Sequence, residues 1–168
     1  MTPFEFLLPY SLDEALSLLD PEDPNVRPVG GGTAVMLMMK AGVLRPTRLV
    51  SLQRIGERHS RVERRADGSL LIGGLARLAD IEANATVREG WPLLAQALRG
   101  VANPRVRAVA TLGGNLSHAD PHMDMPPVMA ALGATVVITG PSGSREVPAD
   151  ALCTGYYETV VRRDELIT

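Results

Sequence analysis

Two glycine-centred stretches hold most of the groups in this sequence that could do chemistry. The longer is Thr111-Leu112-Gly113-Gly114-Asn115-Leu116, continued by Ser117-His118-Ala119-Asp120-Pro121-His122-Met123-Asp124 and closed by Pro126-Pro127. The other, far upstream, is Gly30-Gly31-Gly32-Thr33. Adjacent glycines let a backbone touch a ligand and aim amide N–H groups at it. Thr111 and Asn115 add side-chain donors. The chemistry expected is the binding of an electron-rich, phosphate-bearing ligand. The two stretches would face each other across one cofactor, main-chain amides of both converging on its diphosphate. Glycine pairs also form plain turns, so neither stretch decides the matter alone. His118, Asp120, His122 and Asp124 alternate and are all possible metal ligands, which leaves a metal-dependent hydrolase open. Pro121 and Pro126 interrupt any regular strand that would align them. His118 reads equally as a hydrogen-bonded loop residue or as a cofactor contact, and His122 as a surface residue.

The elements that must position these groups follow from pattern. Phe4 to Pro9 reads as a strand or extended arm. Ser11-Leu12-Asp13-Glu14 is a capping box ahead of a helix over 12–19, with Leu12, Ala15, Leu16 and Leu19 on one face. Arg27-Pro28-Val29 is a short strand running into the triple glycine. Thr33 is placed to cap a helix ending near Lys40, with Gly42 at its C-terminus. Met36-Leu37-Met38-Met39 reads as core filler. Leu49-Val50-Ser51-Leu52 completes a small βαβ unit, whose glycine loop sets free amides and a helix N-terminus against an anion. Beyond residue 56, Asp67-Gly68 marks a hairpin between 60–66 and 69–72. A helix is expected from Leu75 to Ala83, and another begins at Pro92, just after a packing residue, Trp91. Asn103-Pro104 is read as its stop, and the long glycine stretch as a loop. A helix from Pro127 to Leu132, capped by Gly133, precedes a hairpin of 134–139 and 145–147. Tyr156-Tyr157-Glu158-Thr159 reads as extended. Arg61, Arg64 and Arg65 read as a solvated strand face.

Composition narrows the function. The chain has 168 residues, 45% hydrophobic and 21% charged, with net charge −2 and arginine far outnumbering lysine. That balance argues against a nucleic-acid partner, and the six aromatic residues are too few for a base-stacking surface. Cys153, the single cysteine, can neither close an internal disulfide nor hold an iron–sulfur cluster; it is expected to be buried and inert. Met1-Thr2-Pro3-Phe4-Glu5-Phe6 lacks the basic start and apolar run of a leader. No stretch approaches the roughly 20 apolar residues of a membrane span, so a cytoplasmic protein is expected.

In this order and spacing the segments resemble the flavin-binding (medium) subunits of the molybdenum hydroxylases, the carbon monoxide dehydrogenase and xanthine dehydrogenase family. Pro3-Phe4-Glu5-Phe6 with Ser11-Leu12-Asp13-Glu14-Ala15-Leu16 resembles the family's opening. Gly30-Gly31-Gly32-Thr33 resembles its first flavin loop and Thr111-Leu112-Gly113-Gly114-Asn115 its second. Leu71-Ile72-Gly73-Gly74, Asp120-Pro121 through Asp124-Met125-Pro126-Pro127, and Gly155-Tyr156-Tyr157-Glu158-Thr159 also match. The resemblance implies an α+β fold, the two-lobed FAD-binding domain of the PCMH, or vanillyl-alcohol-oxidase-like, type. Residues 1–55 would be a small N-terminal βαβ lobe and 56–168 a larger α+β lobe. The family's C-terminal lobe, roughly another hundred residues and so of domain size, would be absent. FAD is the implied cofactor. An iron–sulfur subunit and a molybdopterin-binding large subunit are the implied partners.

By the same resemblance, Gly30, Gly31, Gly32, Thr33, Ala34 and Val35 would bind the diphosphate and ribityl chain. Thr111, Gly114 and Asn115 would reach the phosphates from the second lobe. Ser117, His118 and Asp124 would line the adenosine or ribityl side, and Ala102, Leu166 and Ile167 would border the isoalloxazine ring. No residue of this chain would act on the substrate, and no metal is implied. Two positions depart from the family pattern. Ala34 stands where serine is usual, and Arg107-Ala108-Val109-Ala110 where Arg-Asn-x-Gly is frequent. A flavin-fold scaffold that only joins partner subunits is a third reading.

Overall fold

A computed structural model describes residues 3–168; Met1 and Thr2, part of the N-terminal segment read above, lie outside it. The chain begins with strand β1 (Glu5–Leu7) and helix α1 (Leu12–Ser17). Ser11 Oγ accepts the Glu14 N–H at 3.1 Å, as a capping residue should. The Glu14 carboxylate reaches one residue further back than a capping box requires and accepts the Tyr10 N–H at 2.8 Å. Strand β2 (Val26–Val29), helix α2 (Thr33–Lys40) and strand β3 (Arg48–Ser51) follow. The three strands form a parallel sheet in the order β1-β3-β2. Pro28 is tolerated because β2 is an edge strand. Across β1 and β3, Arg48 Nε meets Glu5 Oε2 at 2.7 Å.

A 3₁₀ turn at Glu57–Ser60 leads to the hairpin of β4 (Val62–Arg64) and β5 (Leu70–Ile72). Gly68, at φ +88°, turns it, and Asp67 Oδ1 accepts the Ser69 N–H at 2.9 Å. Four helices come next: α3 (Leu78–Ala83), α4 (Ala85–Gly90), α5 (Pro92–Gly100) and α6 (Pro104–Arg107). Helix α3 starts three residues later than its sequence pattern indicates, because 76–78 pair with 110–112 instead. The Leu78 N–H donates to the Ala110 carbonyl at 2.9 Å, and the Leu112 N–H to the Ala76 carbonyl at 3.0 Å. Asn103-Pro104 is a start and not a stop. Helix α5 has already ended, and Asn103 Oδ1 accepts the Val106 N–H at 3.1 Å to open α6.

The second glycine stretch is helical. Helix α7 (Leu112–His118) has Thr111 as its cap. Helix α8 (Met125–Ala131) carries Pro126 and Pro127 in its first turn and ends at Gly133, φ +63°. The antiparallel pair β6 (Thr135–Gly140) and β7 (Gly143–Pro148) is extended by β10 (Leu166–Ile167), giving the order β10-β6-β7. Between them lie β8 (Cys153–Gly155) and β9 (Glu158–Thr159), a two-stranded ribbon. Tyr156 and Tyr157, expected to be extended, form its turn, with Tyr157 at φ +57°.

Two buried clusters stabilise the molecule. The first joins Leu12, Ala15, Leu16 and Leu19 of the α1 region to Val26, Val50, Leu52 and Ile55, and it includes Leu166 from the far end of the chain. The second is centred on Leu78, Ile81, Leu94, Leu98, Met125, Ile138 and Leu152. Trp91 packs against it from the rim, with the Arg64 guanidinium 6.0 Å from its ring. Arg61, Arg64 and Arg65 are otherwise exposed. Two expectations fail. Of the methionine run only Met39 is buried, while Met36 and Leu37 are exposed, because α2 turns about 100° per residue and buries one face. Cys153 is exposed, because it lies on the thin β8–β9 ribbon rather than under a layer.

Candidate functional site

Of the glycines after β2, Gly31 lies against backbone and Gly30 against a side chain. A Cβ at Gly31 would lie 2.6 Å from the Val109 carbonyl carbon and 2.7 Å from the Ala110 Cα; one at Gly30 would lie 2.6 Å from Thr111 Oγ1. The two glycine-bearing stretches are therefore pressed together at one end. A cleft of about 610 Å³ opens from that contact, within the size range of cofactor pockets. All fifteen residues nominated from sequence line it. Gly30, Gly31, Gly32, Thr33, Ala34 and Val35 form one wall. Thr111, Gly114, Asn115, Ser117 and His118 form a second. Asp124, Ala102, Leu166 and Ile167 complete the lining.

The two glycine stretches offer different groups. Gly32, not Thr33, is the cap of α2, in the left-handed conformation at φ +72°, and no side chain caps this helix. Its first backbone bond is the Met36 N–H to the Gly32 carbonyl, 2.9 Å. Among the described residues no backbone carbonyl outside the helix takes the N–H groups of 31–35. These amides and the positive end of the helix are free for an anion.

Helix α7 has no such amides. The Leu112 N–H goes to the Ala76 carbonyl at 3.0 Å and the Gly113 N–H to the Gly74 carbonyl at 2.8 Å. The Gly114 N–H goes to Thr111 Oγ1 at 3.2 Å, and the Asn115 N–H to the Thr111 carbonyl at 2.9 Å. The expectation that amides of both stretches converge on a diphosphate is thus corrected: only the upstream set is available. The second stretch contributes closeness and side chains. Asn115 Oδ1 is buried and has no hydrogen-bond partner among the described residues, an unusual state for a native amide and one that a ligand would relieve.

Arginines add positive charge to the lining. Arg27 and Arg163 both line the cleft. Burial, then the charge of Arg163, push the Arg27 guanidinium below its usual value. Burial also pushes the His118 imidazole down, with Arg27 adding to the effect and Asp120 opposing it. The shift favours the neutral imidazole. Its ring stands 5.2 Å from that of Tyr157.

The alternating His/Asp set does not assemble. Asp120 Oδ1 is occupied by the His122 N–H at 2.9 Å and by His122 Nδ1 at 3.1 Å, and the His122 side chain is 91% exposed. Among the described residues no three His, Cys, Asp or Glu side chains converge as a metal site. Asp124 caps α8 by position but makes no side-chain capping bond, so its exposed carboxylate remains available in the cleft. Sequence reasoning missed Arg27, Arg163 and Tyr157. An arginine three residues before a glycine turn was the one visible signal, and the left-handed Tyr157 left none.

Free amides at a helix start, an orphaned buried amide oxygen, three cleft-lining arginines and apolar lining residues together fit a long, phosphate-bearing cofactor. The family described as the FAD binding domain in molybdopterin dehydrogenase matches residues 2–168. The chain belongs to that family. It is 38% identical to the glyceraldehyde dehydrogenase medium chain of Sulfolobus acidocaldarius over 165 residues, 98% of this chain and 58% of that one. It is 34% identical to the carbon monoxide dehydrogenase medium chain of Hydrogenophaga pseudoflava over 164 residues, 98% of this chain and 56% of the relative. Among solved structures, quinoline 2-oxidoreductase from Pseudomonas putida 86 superposes with a TM-score of 0.92 at 32% identity, covering 99% of this chain and 57% of that one. A Cu,Mo-CO dehydrogenase structure superposes at 0.94 and 30% identity, covering 100% of this chain and 59% of the other. The fold is thus the α+β FAD-binding fold, and FAD is the cofactor of the family. The chain spans a little over half the length of the relatives it matches. Among the described residues no helix is long and apolar enough to cross a membrane.

Proposed function

We propose that this chain is the FAD-holding part of the medium subunit of a cytoplasmic molybdenum hydroxylase, with 1–55 and 56–168 as the two lobes that clasp the cofactor. The observation that carries the reading is the row of free N–H groups at 31–35, which line the same cleft as the unpartnered Asn115 amide oxygen. When bound, FAD supplies one- and two-electron chemistry, here relaying electrons from the [2Fe–2S] clusters of an iron–sulfur subunit, served by a molybdopterin-binding large subunit, to an external acceptor.

The protein's own part is to bind and orient. Gly30, Gly31, Gly32, Thr33, Ala34 and Val35 hold the diphosphate and the adjoining ribityl chain, the amides donating and the α2 dipole adding attraction. Thr111, Gly114 and Asn115 close over the same region from α7. Thr111 Oγ1, already accepting from Gly114, keeps its own proton to donate. Ser117, His118 and Asp124 line the adenosine side. There a carboxylate suits ribose hydroxyls, and a neutral imidazole adds no charge. Ala102, Leu166 and Ile167 border the flavin ring and exclude water from it. The test is titration of the purified chain with FAD, followed by flavin absorption and fluorescence after desalting. Retention near one FAD per chain is expected. A colourless protein that quenches no flavin fluorescence would sink the reading. Co-purification with an iron–sulfur subunit tests the partner assignment separately.

A further inference from the structure

Tyr157 is held at the cleft by two strained residues. Its backbone lies in the left-handed region at φ +57°, which is costly for an aromatic side chain. Its N–H donates to the Ala119 carbonyl at 3.0 Å, and Ala119 is itself left-handed at φ +49°. The product of that contact is the position of one ring. The Tyr157 phenol stands 5.2 Å from the His118 imidazole, with the planes tilted by 57°. Both residues line the cleft, and Tyr157 remains 57% exposed. A ring so exposed adds little to the core, and a ring held so firmly is unlike an ordinary surface tyrosine.

Its place along the cleft matters. Helix α7 runs from the glycine contact to His118, a rise of about 9 Å for six steps. The ring pair therefore lies about 9 Å along α7 from the end at which the two glycine stretches meet. It lies on the His118 side, away from the Thr111 contact.

We propose that Tyr157, backed by His118, is the platform on which the adenine ring of the cofactor stacks, and that this contact makes the site select FAD over FMN. The inference rests on the FAD reading above. Adenine presents a broad π-face, and an aromatic side chain with two torsions offers matching area at small entropic cost. FMN lacks the adenosine half and leaves the platform empty.

The test compares the full chain with Tyr157→Phe, Tyr157→Gly and Tyr157→Asn. Glycine and asparagine accept the left-handed backbone, so both variants remove the ring without disturbing the turn; thermal unfolding checks this. FAD and FMN are titrated by fluorescence, and ADP by competition against FAD. Loss of the ring is expected to weaken FAD and ADP about tenfold, to leave FMN unchanged, and to be repaired by phenylalanine. Unaltered FAD and ADP affinity in the glycine variant would overturn the platform. So would equal losses for FAD and FMN, which would put the ring against the shared flavin half. A wild-type chain that binds neither FAD nor ADP would defeat the FAD reading itself.

Discussion

The backbone of Gly31 lies directly against the backbone of Ala110, so close that a methyl group on Gly31 would stand 2.7 Å from the Ala110 Cα. The contact joins the end of the first parallel strand region to the turn before α7 and closes one end of the cleft. Gly31→Ala forces backbone, not a flexible side chain, to move. We expect a loss of about 1–3 kcal/mol in urea unfolding, together with weaker FAD retention. An unchanged midpoint would mean that the two segments part without cost.

Asn115 separates stability from binding. Its Oδ1 is buried and unpartnered, so Asn115→Leu removes an unsatisfied acceptor from the protein alone. The variant should unfold at equal or higher denaturant, by up to ~1 kcal/mol. It should bind FAD roughly tenfold more weakly, because a ligand group that completes the amide loses its partner. Isothermal titration and chemical denaturation on the same preparation decide the matter. A destabilised variant with wild-type affinity would assign Asn115 to the fold and not to the site.

Glu165 governs acid stability. The carboxylate, 3% exposed, accepts from Arg145 at 2.8 and 3.1 Å and from the Arg162 amide and guanidinium at 2.9 and 2.8 Å. The Arg145 bonds above all hold its pKa down to about 2, from 4.5. Its contribution is complete above the unfolded value of 4.5 and is lost as pH falls toward 2, because the unfolded chain takes up the proton first. Glu165→Gln should cost about 1–3 kcal/mol at pH 7 and flatten the stability curve across that window. Circular dichroism melts from pH 6 to 2 read both effects.

Arg107 supports Ala102 from behind. Its Nε donates to Glu82 at 2.8 Å and its Nη1 to the Val101 carbonyl at 2.9 Å; Ala102 follows in the left-handed region at φ +48°. Arg107→Met strands a half-buried carboxylate and a carbonyl and should cost about 2–3 kcal/mol. Adding Glu82→Gln should recover part of that loss, a coupling that a double-mutant cycle measures directly.

The lining of the cleft was more legible than the elements that carry it. Glycines, Thr111, Asn115 and Asp124 advertise backbone approach and polar contact by residue type, and they line one cleft whatever their secondary structure. The helical state of 112–118 was obscured because Gly113-Gly114-Asn115 is a poor helix sequence. The Thr111 cap, together with bonds from 112 and 113 to 76 and 74, overrides that propensity. Helix α4 escaped notice because 85–90 shows no apolar period. Its cap, Asn84, whose Oδ1 accepts the Val87 N–H at 3.2 Å, was the available sign. Asn103-Pro104 carried the signature of a helix start, asparagine cap then proline, yet reads as a break when proline is seen only as a breaker. Consumption of the Leu112 and Gly113 amides depends on partners more than thirty residues away, and no local pattern announces it.

Gly74 is packed between two distant parts of the chain: a Cβ there would stand 2.9 Å from the Ile167 carbonyl carbon, while its own carbonyl receives the Gly113 N–H. Leu166, next door, completes the cluster formed by α1 and the parallel sheet. During synthesis, then, the earliest strands emerge from the ribosome long before the residue that seals their core. The nascent segment must wait, exposed to chaperones and to premature pairing, until β10 has left the exit tunnel, and only then is that cluster closed.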